Sequence, residues 1–215
     1  MSEPMTPDTV NRLVWESLTR AGEKAFAEGR YKDAELMFRS SSKAARKLGL
    51  LEPRLATSLN NLAELYRIQG RYADAEPLYL AALTARQNVL GQHHPHVGSS
   101  LNNLAGLLFA QGKYARARKL YREALEVWER SLPESDPRVA ICLNNLAVIY
   151  RVQSKFPQAE SLYKRALQLT ERHLGADHPQ AARILSGLAL LLKLMGKFKK
   201  AEAYLERALE IMRAL

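Results

Sequence analysis

Leucine and alanine recur along this chain at helical spacing. On a wheel, Leu59, Leu62, Ala63 and Tyr66 fall within about 100° of one another, and Thr57, Asn60, Asn61, Glu64, Arg67 and Ile68 fall opposite. A second stripe follows: Tyr72, Ala75, Tyr79, Ala82 and Leu83. The two stripes predict helices over 53–69 and 72–90. Pro53 opens the first, since proline in the first turn forfeits no intrahelical hydrogen bond. Gly70 closes it as a residue tolerant of positive φ, and Gly91 closes the second.

The pattern repeats. Leu59-Asn60-Asn61-Leu62-Ala63, Leu101-Asn102-Asn103-Leu104-Ala105 and Leu143-Asn144-Asn145-Leu146-Ala147 lie 42 residues apart, and Leu185-Ser186-Gly187-Leu188-Ala189 follows at the same interval. Gly70-Arg71-Tyr72, Gly112-Lys113-Tyr114, Ser154-Lys155-Phe156 and Gly196-Lys197-Phe198 keep the same period. Pro95, Pro137 and Pro179 repeat Pro53, each after a residue able to cap a helix or shape the turn: Glu52, His94, Asp136 and His178. A fixed period of this length means stacked helical hairpins in one array. The boundaries read as a tail at 1–9, a degenerate unit at 10–52, and units at 53–94, 95–136, 137–178 and 179–215. The degenerate unit carries Gly29-Arg30-Tyr31, Ala34 and Phe38 at the marker places, with Thr19-Arg20 in place of the asparagine pair.

Leu62-Ala63, Tyr66, Gly70, Ala75, Tyr79 and Ala82 resemble the tetratricopeptide repeat. The period, the Leu-Asn-Asn-Leu-Ala core and the linker Leu174-Gly175-Ala176-Asp177-His178-Pro179 are similar to the kinesin light chain subgroup. The coiled coil by which a kinesin light chain joins its motor has no counterpart here. The resemblance implies an all-α fold, a right-handed α-solenoid of antiparallel helix pairs with about five units. It also implies a non-catalytic scaffold or adaptor whose first helices line a concave groove, with asparagines there contacting an extended peptide.

Asparagine inside a helix costs about half a kcal/mol against alanine, so the repeated pairs call for a reason. Either Asn60, Asn61, Asn102, Asn103, Asn144 and Asn145 clamp a peptide backbone with their paired donors and acceptors, or some of them tie adjacent repeats together. The two members of a pair lie about 100° apart and need not share a task. Arg20, Arg67, Arg151, Arg183 and Lys193 project to the same side, whereas the acidic residues there, Glu16, Glu23 and Glu64, belong to the first two units. A groove basic toward its C-terminal end suits an acidic segment, since guanidinium groups bind carboxylates bidentately. Phe109, Val148, Val152, Leu190 and Leu194 could line apolar sub-pockets. The rival reading of the arginines is solubility alone.

Composition narrows the field. A formal charge of +10 permits nucleic acid, and binding of single-stranded RNA is the alternative function. The charge is scattered, however, and the groove lacks a regular array of aromatic or base-reading side chains. The longest apolar stretch, 188–194, contains Lys193 and falls far short of the roughly 20 residues a membrane span needs, so membrane insertion is not expected. With no basic leader and a single cysteine, Cys142, the chain reads as cytoplasmic, the thiol a small buried hydrophobe.

His93-His94-Pro95-His96 lies at an inter-repeat turn without a further ligand cluster, so no metal is expected. The 106–113 segment lacks the spacing of a phosphate loop, and no enzyme constellation or cofactor motif occurs. Trp15 and Trp128 read as packing residues. The last helix is amphipathic through Phe198, Ala201, Tyr204, Leu205, Ala208, Leu209 and Met212. Its open flank predicts self-association through the uncapped last repeat, a curled-back terminus, or a longer parent chain.

Overall fold

The computed structural model describes residues 6–49 and 53–214. The capping role expected of Glu52, the tail residues 1–5 and the end at Leu215 lie outside them. Among the described residues there are ten helices and no strand. They are α1 (Pro7–Ala27), α2 (Tyr31–Leu48), α3 (Pro53–Ile68), α4 (Tyr72–Leu90), α5 (Pro95–Ala110), α6 (Tyr114–Ser131), α7 (Pro137–Val152), α8 (Phe156–Leu174), α9 (Pro179–Leu194) and α10 (Phe198–Arg213). Residues 7–9, expected in the tail, form the first turn of α1, where the Thr6 hydroxyl accepts a hydrogen bond from the Thr9 amide at 3.3 Å.

The chain forms two compact units, Met1–Lys113 holding α1 to α5 and Tyr114–Leu215 holding α6 to α10. In the first, α1 packs on α2, α2 on α3, α3 on α4 and α4 on α5; in the second, the order α6, α7, α8, α9, α10 is kept in the same way. First helices of successive repeats also meet, α1 with α3, α3 with α5, and α7 with α9.

That extra neighbour changes what each first helix buries. The expected stripe of Leu59, Leu62, Ala63 and Tyr66 is buried, but so are Leu55, Ala56, Ser58 and Leu65. Burial therefore covers about half the circumference of α3 rather than one stripe. The counterparts of Leu65 in the later repeats, Leu107, Ile149 and Leu191, are equally sealed. Trp15 joins this packing: its indole N–H donates to the Ser58 hydroxyl at 2.7 Å, and its ring lies on the cluster of Ala45, Leu55, Ala56, Leu59 and Ala82. Trp128 is buried as well.

The turns are made alike. Arg71 N–H bonds Tyr66 C=O at 2.8 Å, five residues back, and Arg30, Lys113, Lys155 and Lys197 repeat the bond at 2.8–2.9 Å. This closure needs a left-handed residue just before it. Gly70 supplies φ +72°, but in the fourth repeat Ser154 must adopt φ +57°. At the other turn a side chain caps α5, α7 and α9: His94 Nδ1 accepts from His96 N–H at 3.2 Å, Asp136 from Arg138 N–H at 3.0 Å, and His178 Nδ1 from Gln180 N–H at 3.1 Å. Capping explains the histidines that tempted a metal reading.

An ionic tie then crosses from one repeat to the next. Glu35 pairs with Arg71 at 3.0 Å, Glu76 with Lys113 at 3.4 Å, and Glu160 with Lys197 at 3.7 Å. Arg118 occupies the same place on α6, and it donates instead to Gln153 Oε1 at 3.0 Å with its guanidinium 5.8 Å from the Tyr150 ring centre.

Two outcomes follow from the turns. Ser154→Gly removes left-handed strain and should raise unfolding stability by about 0.5–1 kcal/mol, read from the urea midpoint. Arg138 grips the Asp136 carboxylate at 2.7 and 2.8 Å and holds its pKa below the ordinary value. A depressed folded-state pKa makes this contribution complete at neutral pH and lost as pH falls through that value. Asp136→Asn keeps a cap but loses this ion pair, so it should cost up to about 1 kcal/mol at pH 7, and the difference from wild type should close as pH falls through the lowered Asp136 pKa.

Candidate functional site

With about half of α3, α5, α7 and α9 sealed, the candidate side chains sit on the remaining arc of these helices. In the first unit, Asn60 and Asn61 of α3 and Asn102 and Asn103 of α5 are all half-buried. Asn103 Nδ2 donates to Asn60 Oδ1 at 2.9 Å, and Asn102 Nδ2 donates to Asn103 Oδ1 at 3.3 Å. Asn61 Nδ2 reaches back to Glu23 of α1 at 3.4 Å. The 100° between the two members explains this. They stand at opposite edges of the arc, so the first asparagine of one repeat faces the second of the next. The bonds of Asn103 and Asn61 tie neighbouring repeats, whereas that of Asn102 stays within α5.

Arg67 is not the free cation that its place on the wheel suggested. Its guanidinium forks onto Glu64, one turn earlier, at 2.8 and 2.6 Å, and the Tyr79 hydroxyl of α4 donates to the same carboxylate at 2.5 Å. The carboxylate pushes the Arg67 pKa further up, and burial raises that of Tyr79. Phe109, at the place of Arg67 in the next repeat, is half-buried on α5.

In the second unit the same arc is different. On α7, Asn144, Asn145, Val148 and Arg151 are half-buried and Val152 is exposed; on α9, Arg183, Leu190, Lys193 and Leu194 are exposed. Ser186 and Gly187 stand where other repeats have asparagines. Neither α7 nor α9 contains an acidic residue. The carboxylates of this unit lie on the second helices or in the turns, and several are paired there: Glu160 with Lys164 at 2.6 Å, Glu129 with Arg165 at 2.6 Å, Glu171 with Arg207 at 2.6 Å, and the turn residue Asp136 with Arg138 at 2.7 Å. The first-helix face is thus cationic without local neutralisation. It combines amide groups, guanidinium and ammonium groups and small apolar surfaces, an arrangement that can hold an extended anionic chain by hydrogen bonds and charge.

One charged residue escaped the sequence reading. Arg86 of α4 is 9% exposed, and burial lowers its pKa; it donates to Ser100 Oγ at 2.7 Å and His96 C=O at 3.3 Å. Only its position in the register of the buried stripe, three residues beyond Leu83, could have signalled this. Cys142 is buried on α7, with its thiol bonded to Tyr121 C=O at 3.2 Å and its pKa raised by desolvation. Among the described residues, no group of histidine, cysteine and acidic side chains could hold a metal ion. No described helix is long and apolar enough to cross a membrane.

Comparison with known proteins agrees with this geometry. The family profile described as tetratricopeptide repeat matches residues 54–130 and 138–214, and a second of the same description matches 102–173. A search of the curated proteins finds no match. Among solved structures, BtubC (BKLC) from P. vanneervenii is 31% identical, with 97% of this chain and 83% of that one covered at a TM-score of 0.82. A kinesin light chain-like protein of Podosopora anserina with nearly identical TPR-like repeats is 20% identical over 97% of both chains, at a TM-score of 0.74. Pseudomonas aeruginosa PilF is 18% identical over 93% of this chain and 77% of that one, at 0.70. At 18–20% identity, these last two share the fold alone. The repeat markers, the helix pairs and the profile over most of the chain agree: this protein is a member of the tetratricopeptide repeat family, with the all-α repeat fold of kinesin light chain-like arrays.

Proposed function

We propose that this chain is a non-catalytic adaptor that holds an extended, acidic segment of a partner protein along the polar arc of its first helices. The observation that carries the reading is the charge segregation of the second unit. Arg151, Arg183 and Lys193 stand on helices without a single carboxylate, beside half-buried Asn144 and Asn145. The asparagines supply backbone contacts, the cations hold the acidic side chains, and Val148, Val152, Leu190 and Leu194 receive an apolar anchor. In the first unit, Asn60, Asn61, Asn102 and Asn103 offer amides on the corresponding face of α3 and α5. Ordering a flexible segment consumes much of the gross contact energy, so affinity is in the micromolar range. The buried free thiol of Cys142 suits a reducing, cytoplasmic setting. A second surface is open to another copy of the chain: Phe198, Leu205, Leu209 and Met212 of α10 are 45–65% exposed, and only Ala201, Ala208 and Ile211 of that helix are buried.

Arg183→Glu/Lys193→Glu changes two exposed side chains and should leave the helical circular dichroism intact. Acidic segments recovered from partners, tested as synthetic peptides, should lose at least about tenfold in affinity for it, roughly 1.4 kcal/mol. Equal affinity for both proteins would sink the reading, and recovery of nuclease-sensitive material with a steep salt slope would replace it with nucleic acid. For the second surface, Leu209→Glu should abolish any concentration-dependent dimer seen by sedimentation equilibrium; a wild type that stays monomeric rules that surface out.

A further inference from the structure

The repeats offer an internal comparison. In the second repeat, the Glu64 carboxylate is held by the fork of Arg67 and by the Tyr79 hydroxyl, three groups from one hairpin. The fourth repeat keeps both holders at the equivalent places, Arg151 on α7 and Tyr163 on α8, but has Val148 where Glu64 would stand. Tyr163 is fully buried beside the Arg151 guanidinium, which can only donate to it, and among the described residues neither the phenol proton nor the covered Nε–H of Arg151 has an acceptor. Burial raises the Tyr163 pKa, and the adjacent Arg151 opposes that rise.

Unpaired buried donors are costly, and native structures rarely keep two of them side by side without use. Gly187 of α9 lies against the phenol: a Cβ there would come within 2.7 Å of its ring and 3.1 Å of its oxygen, so any larger residue would crowd the hydroxyl. Both donors suit one acceptor group, and the second repeat shows which group fits: a carboxylate.

We propose that Arg151 and Tyr163 form a pocket for one carboxylate side chain supplied by the bound segment, taking the place that Glu64 fills internally in the second repeat. The proposal rests on the acidic-peptide reading and adds to it the point at which one acidic side chain is fixed. The position is reachable, because Glu64 and Arg67 are each about a third exposed, at 33% and 32%, while joined in the second repeat. At α7, Arg151 and Val148 are both half-buried, so part of each is open to a chain passing over this face. Arg183 and Lys193 then hold neighbouring acidic residues at the surface.

Two measurements test it. Val148→Glu supplies the carboxylate from within and should raise the melting midpoint by about 2–4 °C, whereas the same change in an Arg151→Gln background should not. An equal effect in both backgrounds, or a fall in the first, overturns the pocket. In fluorescence anisotropy, a labelled decapeptide of alternating Glu and Leu should bind wild type at least tenfold more tightly than its Gln-and-Leu counterpart, and Val148→Glu should abolish that preference. If wild type prefers the acidic peptide and Val148→Glu leaves the preference intact, the pocket is wrong and the groove reading survives. If wild type shows no preference, both are wrong. Competition by free glutarate at the same carboxylate concentration should be absent; full displacement would overturn the peptide assignment in favour of a small dicarboxylate.

Discussion

A first helix in this fold is packed on about half of its circumference. In α3, for example, its own second helix α4 takes one side, the preceding α2 another, and the first helices α1 and α5 close the edges. The buried positions of α3 therefore run from Leu65 and Ser58 through Leu62, Leu55, Tyr66, Leu59 and Ala63 to Ala56, a set that is apolar or small throughout. Everything with chemistry is compressed into the arc that is left. Two asparagines stand toward its two sides, Asn60 meeting Asn103 of the next repeat and Asn61 meeting Glu23 of the one before, and the residues around them decide what the surface offers.

Those few positions are where the repeats diverge. The place held by Glu64 becomes Gly106, Val148 and Leu190, and the place held by Arg67 becomes Phe109, Arg151 and Lys193. In the second repeat a carboxylate and a guanidinium cancel each other within one turn; in the fourth and fifth the cation remains and its partner is replaced by an apolar side chain. The hydrophobic scaffold stays constant while the arc is rewritten, which is how one fold comes to present different surfaces.

Much of the fold was legible because its punctuation is chemical. Proline at the start of the first helices, glycine at the turns and the Leu-Asn-Asn-Leu-Ala core gave the ends of α3 and α4 within a residue, whereas α1 starts at Pro7, inside the expected tail. The single-stripe wheel missed Leu65, Leu107, Ile149 and Leu191, because a wheel describes one helix and cannot see a third neighbour. The fork of Arg67 on Glu64 lay within reach of i,i+3 spacing. The bond from Asn103 to Asn60, the sealed hydroxyl of Tyr163 and the buried charge of Arg86 depend on the register between separate helices, which a linear periodicity does not contain. His94 and His178 were read correctly as turn residues, although their ring nitrogens as caps required coordinates.

The run of glutamate-to-cation ties between repeats has one irregularity, and it sets how the stack responds to its solvent. Three junctions are joined by partly exposed ion pairs, Glu35 to Arg71, Glu76 to Lys113 and Glu160 to Lys197. The junction between α6 and α7 relies on Arg118, held by a neutral amide and an aromatic ring. Added salt weakens the former and scarcely touches the latter. In a linear array whose stability is the sum of its neighbour contacts, the seam that opens first need not be the same in dilute buffer and in brine. Ionic strength thus selects which part of the stack breathes, without altering a single residue of its core.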